Sequence, residues 1–162
     1  MSNGATAEMT PVQRVPVFLE AIKFSHSVFA LPFALIAMLV AADGFPSLWK
    51  LFWILVACVA ARTAAMTFNR LADWEFDARN PRTAGRALVT GELSPEFMAG
   101  SLAISVVVFI FSAAMLNSTC FILSVPVLAV LFGYSLTKRF TDYSHFFLGL
   151  ALGLAPLGAW IA

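Results

Sequence analysis

The sequence predicts an all-α fold, a polytopic bundle of transmembrane helices, on three observations. Hydrophobic residues fill 60% of the 162 positions, mean hydropathy is +0.87, and only 12% of residues are charged. Soluble domains are roughly a quarter charged. Apolar runs near the roughly 20-residue length of a helical span recur along the chain. The clearest are Ser25–Ala42, Leu48–Phe68, Glu96–Leu116, Thr119–Leu136 and Phe146–Ala162, so about five spans are expected. Finally, charge is concentrated: seven of 19 charged residues fall between positions 69 and 86.

Before the first run, TPVQRVPVFLEAIKF places Thr10 as a candidate N-cap, Pro11 at the first helical position and Gln13 where a capping box needs it. Its apolar residues suggest a short helix on the membrane surface. Twenty-four residues, Glu8 and Glu20 among them, precede that run, and no short basic segment leads into an A-x-A site. The run is therefore not expected to be a removable signal peptide. The second run continues into the charged stretch, where Asn80 before Pro81 is a natural helix stop. TGELS supplies a turn at Gly91, and Ser94 followed by Pro95 caps the third span. In the last run, Gly149 and Gly153 have GxxxG spacing, which suggests close helix packing. Cys58 and Cys120 lie in apolar runs and read as small buried hydrophobes, without disulfide or metal spacing. His26 and His145 suggest only packing or interfacial roles. With no repeat or low-complexity linker, residues 1–162 form one structural unit.

The distribution of Lys and Arg sets the expected orientation. Arg14, Lys23, Arg70, Arg79, Arg82, Arg86, Lys138 and Arg139 fall on one side, against Lys50 on the other and Arg62 within the second span. This predicts a cytoplasmic amino terminus and charged loop, with Trp49, Trp53 and Trp160 near the outer interface. A net charge of +1 without a basic tract argues against a nucleic-acid partner.

Asn69, Asp73 and Asp77 recur at every fourth position and share a helix face, drifting about 40° per step. Arg62, seven residues earlier, is about 20° off that face, and Glu75 points away. Carboxylates one turn apart repel each other, and a divalent cation relieves this. Mg²⁺ favours one or two carboxylates, retained waters and phosphate oxygens. Arg82 and Arg86 follow, one turn apart if helical, and guanidinium groups bind phosphate bidentately. Acidic residues followed by arginines thus suggest a diphosphate site. The competing reading pairs Asp73, Asp77, Arg79 and Arg82 with one another in water. Arg62 interrupts an apolar run at a cost of about 2.5–3.5 kcal/mol, so it suggests a polar cavity, with snorkelling as the alternative. In YSLTK, Tyr134 and Lys138 are one turn apart on the same side as the stripe. They read as interface anchors or as further diphosphate contacts.

The N-x-x-x-D-x-x-x-D pattern of Asn69–Asp77, continuing into ARNPRTAGRAL, resembles the first aspartate-rich motif of the UbiA superfamily of membrane prenyltransferases. YSLTK resembles that family's Y-x-x-x-K motif, and IKFSHSVFALPFAL and SHFFLGLALGLAPLGAWIA are similar to members acting in quinone biosynthesis. The similarity runs over most of Ile22–Ala162 and is closest in character to 4-hydroxybenzoate polyprenyltransferases and their menaquinone-pathway relatives. It implies about nine helical spans around a central cavity, and transfer of a polyprenyl group from an allylic diphosphate to a 4-hydroxybenzoate or hydroxynaphthoate type of ring. It further implies two Mg²⁺ ions, with Asn69, Asp73 and Asp77 holding metal and diphosphate. Arg82, Arg86, Tyr134 and Lys138 would contact diphosphate, Asp73, Asp77 and Lys138 would be catalytic, and Arg62 would approach the acceptor carboxylate. A bacterial inner membrane is the implied location.

The family carries a second aspartate-rich motif, whereas after Asp77 this sequence has only Glu92, Glu96 and Asp142 as acids. The expectation is therefore the amino-terminal part of a single prenyltransferase domain, lacking a carboxy-terminal half and inactive alone. No D-G-x-x-A-R element of CDP-alcohol phosphotransferases and no D-D-x-x-D of soluble prenyl synthases occurs. The remaining alternative is a transporter-like or structural membrane protein with a charged cytoplasmic loop.

Overall fold

The computed structural model describes residues 11–24, 31–137, 140 and 144–162. All regular structure among them is helical: α1 (Pro11–Ala21), α2 (Leu31–Ala41), α3 (Leu48–Arg79), α4 (Ala87–Thr90), α5 (Pro95–Leu116), α6 (Ser118–Thr137) and α7 (Ser144–Ile161). Helices therefore stand in all five places where spans were expected. Of these, α3, α5 and α6 are long and apolar enough to cross a membrane, while α2 and α7 are shorter apolar helices in their described residues. The Ser25–Ala30 part of the first expected span, with His26, lies outside the described residues, as does Thr10.

The longest helix organises the molecule. Its 32 residues extend about 48 Å, against about 30 Å for a bilayer's hydrocarbon core. About a third of α3 thus projects beyond a span's length, and that part carries Asn69 to Arg79. At its start Ser47 is the N-cap, its hydroxyl accepting from the Lys50 amide at 3.3 Å. It stops at Asn80, whose extended φ/ψ of −106°/116° is what the following proline demands.

Helix α3 packs most extensively along α5, while α2 packs on α7, and α6 touches α3, α5 and α7. Ala60 of α3 meets Phe109 of α5 and Leu128 of α6 in one buried cluster; Ala34 and Met38 of α2 meet Ile54 and Ala159 in another. Small alanines on α3 permit this close approach.

The bundle has two chemically distinct ends. At one, Trp49 at the start of α3 donates its indole N–H to the Met115 carbonyl at the end of α5 (3.3 Å). Nearby, Asn117 donates to the Ile161 carbonyl of α7 (2.9 Å). Trp53 packs edge-on against Trp49, Phe52 and Phe111. At the other end, α1, α4 and the start of α5 close around Leu88, Leu93 and Met98, with Val17, Phe18, Leu71 and Phe97 packed against them. Thus α1 is docked on protein through Val17 and Phe18, while Val15 and Leu19 remain exposed.

The GxxxG reading is not supported among the described residues. A Cβ at Gly149 or Gly153 would meet nothing within 4 Å, so neither glycine marks a close helix crossing.

Candidate functional site

The polar stripe of α3 runs from a cavity inside the bundle to a folded loop at its charged end. The cavity, about 600 Å³ and partly open, is lined by α3, α5, α6 and α7. Its walls are mainly apolar, from Ile54 and Phe109 to Leu152, with Arg62, Asn69 and Tyr134 among its polar groups. Helical period explains the first two: seven residues bring α3 back to nearly the same angle. Arg62 is half-buried, and its Nε is shielded from solvent with no hydrogen-bond partner among the described residues. It lines a cavity, though one with mainly apolar walls rather than the polar cavity that its position suggested. Tyr134 enters from α6, held opposite α3 by stacked Phe68 and Phe132, whose ring centroids are 4.5 Å apart.

One and two turns beyond Asn69, Asp73 and Asp77 are 7% and 8% exposed. Carboxylates so deeply placed are not loop charges dissolved in water, and buried charge requires partners. Asp77 forms an ion pair with Arg86. Asp73 and Asp77 both lie in the electrostatic neighbourhood of Arg70. The Arg70 guanidinium is pushed below its ordinary pKa chiefly by burial, then by Arg86, while Asp77 and Asp73 oppose the shift. Glu75 is exposed on the other side of the helix, as the period requires.

The loop after α3 is not helical, which corrects the one-turn relation expected for Arg82 and Arg86. Residues 81–86 are turns and a bend, because Pro81 cannot continue the α3 ladder. Asn80 Oδ1 accepts from the Arg82 amide at 3.0 Å. Buried Thr83 donates its hydroxyl to the Asp77 carbonyl, also at 3.0 Å. These bonds fold the chain back so that Arg86, the N-cap residue of α4, reaches the Asp77 carboxylate. Arg82 instead remains exposed. Gly91 then ends α4 in the left-handed region (φ 83°), and Ser94 caps α5 by accepting from the Phe97 amide at 3.2 Å.

Two groups therefore form around one stripe: Arg62, Asn69 and Tyr134 at the cavity, and Asp77 with Arg86 at the loop. Asp73 lies between them on α3. Lys138, with Arg139, falls outside the described residues. Thr83 and Arg70 are the residues that sequence reasoning missed. Thr83 had a weak signal, a hydroxyl residue just past a proline-terminated helix, where carbonyls lack donors. Arg70 had none beyond membership of the charged stretch.

The donor set suits a metal shared with a substrate. Among the described residues no three or more His, Cys, Asp or Glu side chains gather as a metal cluster. Two carboxylates and an amide on one helix face fit Mg²⁺, which keeps waters and takes phosphate oxygens. They do not make an all-protein cage.

A family model described as the UbiA prenyltransferase family matches residues 30–162. A 4-hydroxybenzoate octaprenyltransferase of Methylobacillus flagellatus is 37% identical over 134 residues, covering 75% of this chain and 45% of that protein. The Paraburkholderia xenovorans protein of the same name is 33% identical over 164 residues, covering 91% and 57%. The apo structure of a UbiA homolog from Aeropyrum pernix K1 superimposes with a TM-score of 0.78 at 35% identity, covering 83% of this chain and 49% of that one. A digeranylgeranylglyceryl phosphate synthase structure shares the fold, with a TM-score of 0.82 at 18% identity and coverage of 90% and 52%. The chain spans about half the length of the relatives it matches.

Proposed function

The chain belongs to the UbiA prenyltransferase family, and from that premise we propose that it forms the first half-site of an aromatic prenyltransferase. The reaction transfers a polyprenyl group from an allylic diphosphate to an aromatic ring in quinone biosynthesis. The observation that carries this reading is the one face of α3 that lines an apolar cavity through Arg62 and Asn69, with Tyr134 from α6, and continues beyond it with Asp73 and with Asp77 paired to Arg86. A polyprenyl tail needs the first environment, and a diphosphate needs the second. A merely charged loop on a transporter-like protein needs neither.

In this reading Asn69, Asp73 and Asp77 hold Mg²⁺, which supplies Lewis-acid neutralisation of a departing diphosphate when bound. Arg86 would exchange part of its pairing with Asp77 for phosphate oxygens, which its planar fork matches. Arg82, exposed at the loop, Tyr134 from α6, and Lys138 add contacts to the same group. The apolar cavity excludes water from the allylic cation, sparing it for the aromatic nucleophile. Arg62, whose guanidinium nitrogen is buried and unsatisfied among the described residues, is the group best suited to an acceptor carboxylate. The charged end faces the cytoplasm of a bacterial inner membrane, consistent with eight Lys and Arg on that side.

Competition binding tests the reading. A non-hydrolysable geranyl diphosphate analogue is titrated into the chain in nanodiscs with Mg²⁺, then displaced with inorganic diphosphate. Displacement is expected. An analogue that remains bound would be held by its tail alone, contrary to a diphosphate site. In parallel, Arg62→Leu is expected to lose 4-hydroxybenzoate binding, and full retention would remove Arg62 from the acceptor role.

A further inference from the structure

Arg70 stands in the charged stretch yet takes none of the roles above. It is 9% exposed, and its Nε donates to the Ala21 carbonyl at 2.9 Å, across 49 positions of sequence. Ala21 is the last residue of α1, so its carbonyl is one that the helix leaves without an internal donor. A cation also suits the negative end of a helix dipole. The same guanidinium is surrounded electrostatically by Asp77, Asp73 and Arg86.

The helix it holds is weak by itself. Helix α1 has 11 residues with Pro16 inside, too short to persist without tertiary contacts. Its fastening includes Val17, Phe18 and Ala21 on the Leu88–Leu93–Met98 cluster, with Phe18 edge-on to Phe97 at 5.7 Å, and the Arg70 bond. That cluster also contains Ala87 and Leu71, so it borders both the loop that presents Arg86 and the aspartate helix.

We propose that Arg70 is a positioning residue that fastens α1 to α3 beside Asp73 and Asp77, making α1 docking and occupancy of the aspartate stripe one coupled equilibrium. The proposal rests on the reading of the stripe as a Mg²⁺–diphosphate site. With α1 docked, the Ala21 carbonyl fixes the guanidinium in place. With α1 released, Leu71 on the aspartate helix and Ala87 beside Arg86 lose the packing that Val17, Phe18 and Ala21 give to their shared cluster, and the stripe and loop are held together less firmly. Linkage is reciprocal, so a ligand favoured by docked α1 must itself hold α1 down.

Trypsin cleavage after Lys23 reads the docking, because Lys23 is exposed immediately beyond α1 with a positive φ of 52°. The experiment measures cleavage rate and analogue affinity on the full chain in nanodiscs, with and without Mg²⁺ and the geranyl diphosphate analogue. In wild type, ligand is expected to slow cleavage. Arg70→Ala is expected to speed cleavage, weaken analogue binding about tenfold, within the usual range of coupling energies, and abolish protection by ligand. Arg70→Lys, keeping charge and donors, is expected to restore part of both. Phe18→Ala, which loosens α1 without touching a charge, is expected to weaken analogue binding as well. Wild-type cleavage and affinity in Arg70→Ala would overturn the proposal. Faster cleavage with unchanged affinity would overturn the coupling while leaving the diphosphate reading intact. Absence of any analogue binding in wild type would overturn that reading and the coupling with it, while the cleavage rates would still decide the fastening.

Discussion

The two ends of the bundle solve the same problem with different materials. At the tryptophan end, α3 and α5 are joined by the Trp49 indole on the Met115 carbonyl and by Trp53 against Phe111, while Asn117 holds the end of α7. These are aromatic and neutral polar contacts of the kind that suits a membrane interface. At the aspartate end, an apolar cluster around Leu88, Leu93 and Met98 is supplemented by charged groups: Arg86 paired with Asp77, and Arg70 donating to the Ala21 carbonyl. Replacing a buried ion pair with apolar packing is often neutral or stabilising, so such pairs are weak evidence of a stability role. Their concentration beside a cavity instead fits a site for an ionic ligand, with the tryptophan end as its scaffold.

This contrast can be broken, starting with the largest effect. Asp73→Asn and Asp77→Asn should each reduce Mg²⁺-dependent analogue binding by about a hundredfold, a loss of about 2.7 kcal/mol that isothermal titration can measure. Thermal stability should change far less than affinity. Arg86→Ala should weaken binding about tenfold, because it removes one charge-assisted phosphate contact and leaves Asp77 without its guanidinium. At the scaffold, the pattern should reverse. Leu128→Ala, in the cluster with Ala60 and Phe109 but not lining the cavity, should cost about 3 kcal/mol of stability in detergent unfolding while sparing the affinity of the folded fraction. Trp49→Phe removes one indole bond and should cost about 1 kcal/mol by the same assay. The smallest effect is expected at Gly149→Ala, where open space and helical backbone predict a change within about 1 kcal/mol, in the stabilising direction. A large destabilisation there would restore the close-packing reading.

Signals confined to a few residues were legible in the sequence. The Ser94 cap, the Gly91 turn and the Asn80 stop each express a local backbone rule, and each stands where the rule puts it. The α3 stripe was legible for a related reason, since one helical period carries Arg62, Asn69, Asp73 and Asp77 along a single regular element. What escaped depends on chain reversal or long separation. The Asp77–Arg86 pair runs through a non-helical turn fixed by Thr83, so extending helical spacing past Pro81 misread it. Arg70 and Ala21 are 49 positions apart and share no pattern. The GxxxG spacing differs in the opposite sense: spacing records that a helix could approach, and among the described residues none comes within 4 Å of a Cβ at Gly149 or Gly153.

The most direct test of the account is Mg²⁺-dependent binding of the non-hydrolysable geranyl diphosphate analogue to the purified 162-residue chain in nanodiscs, compared with Asp73→Asn and Asp77→Asn. The account predicts saturable binding that requires Mg²⁺ and weakens about a hundredfold in both variants. A helical, well-behaved chain that binds no analogue, or binds it equally in all three proteins, would contradict the claim that the α3 stripe is a diphosphate half-site.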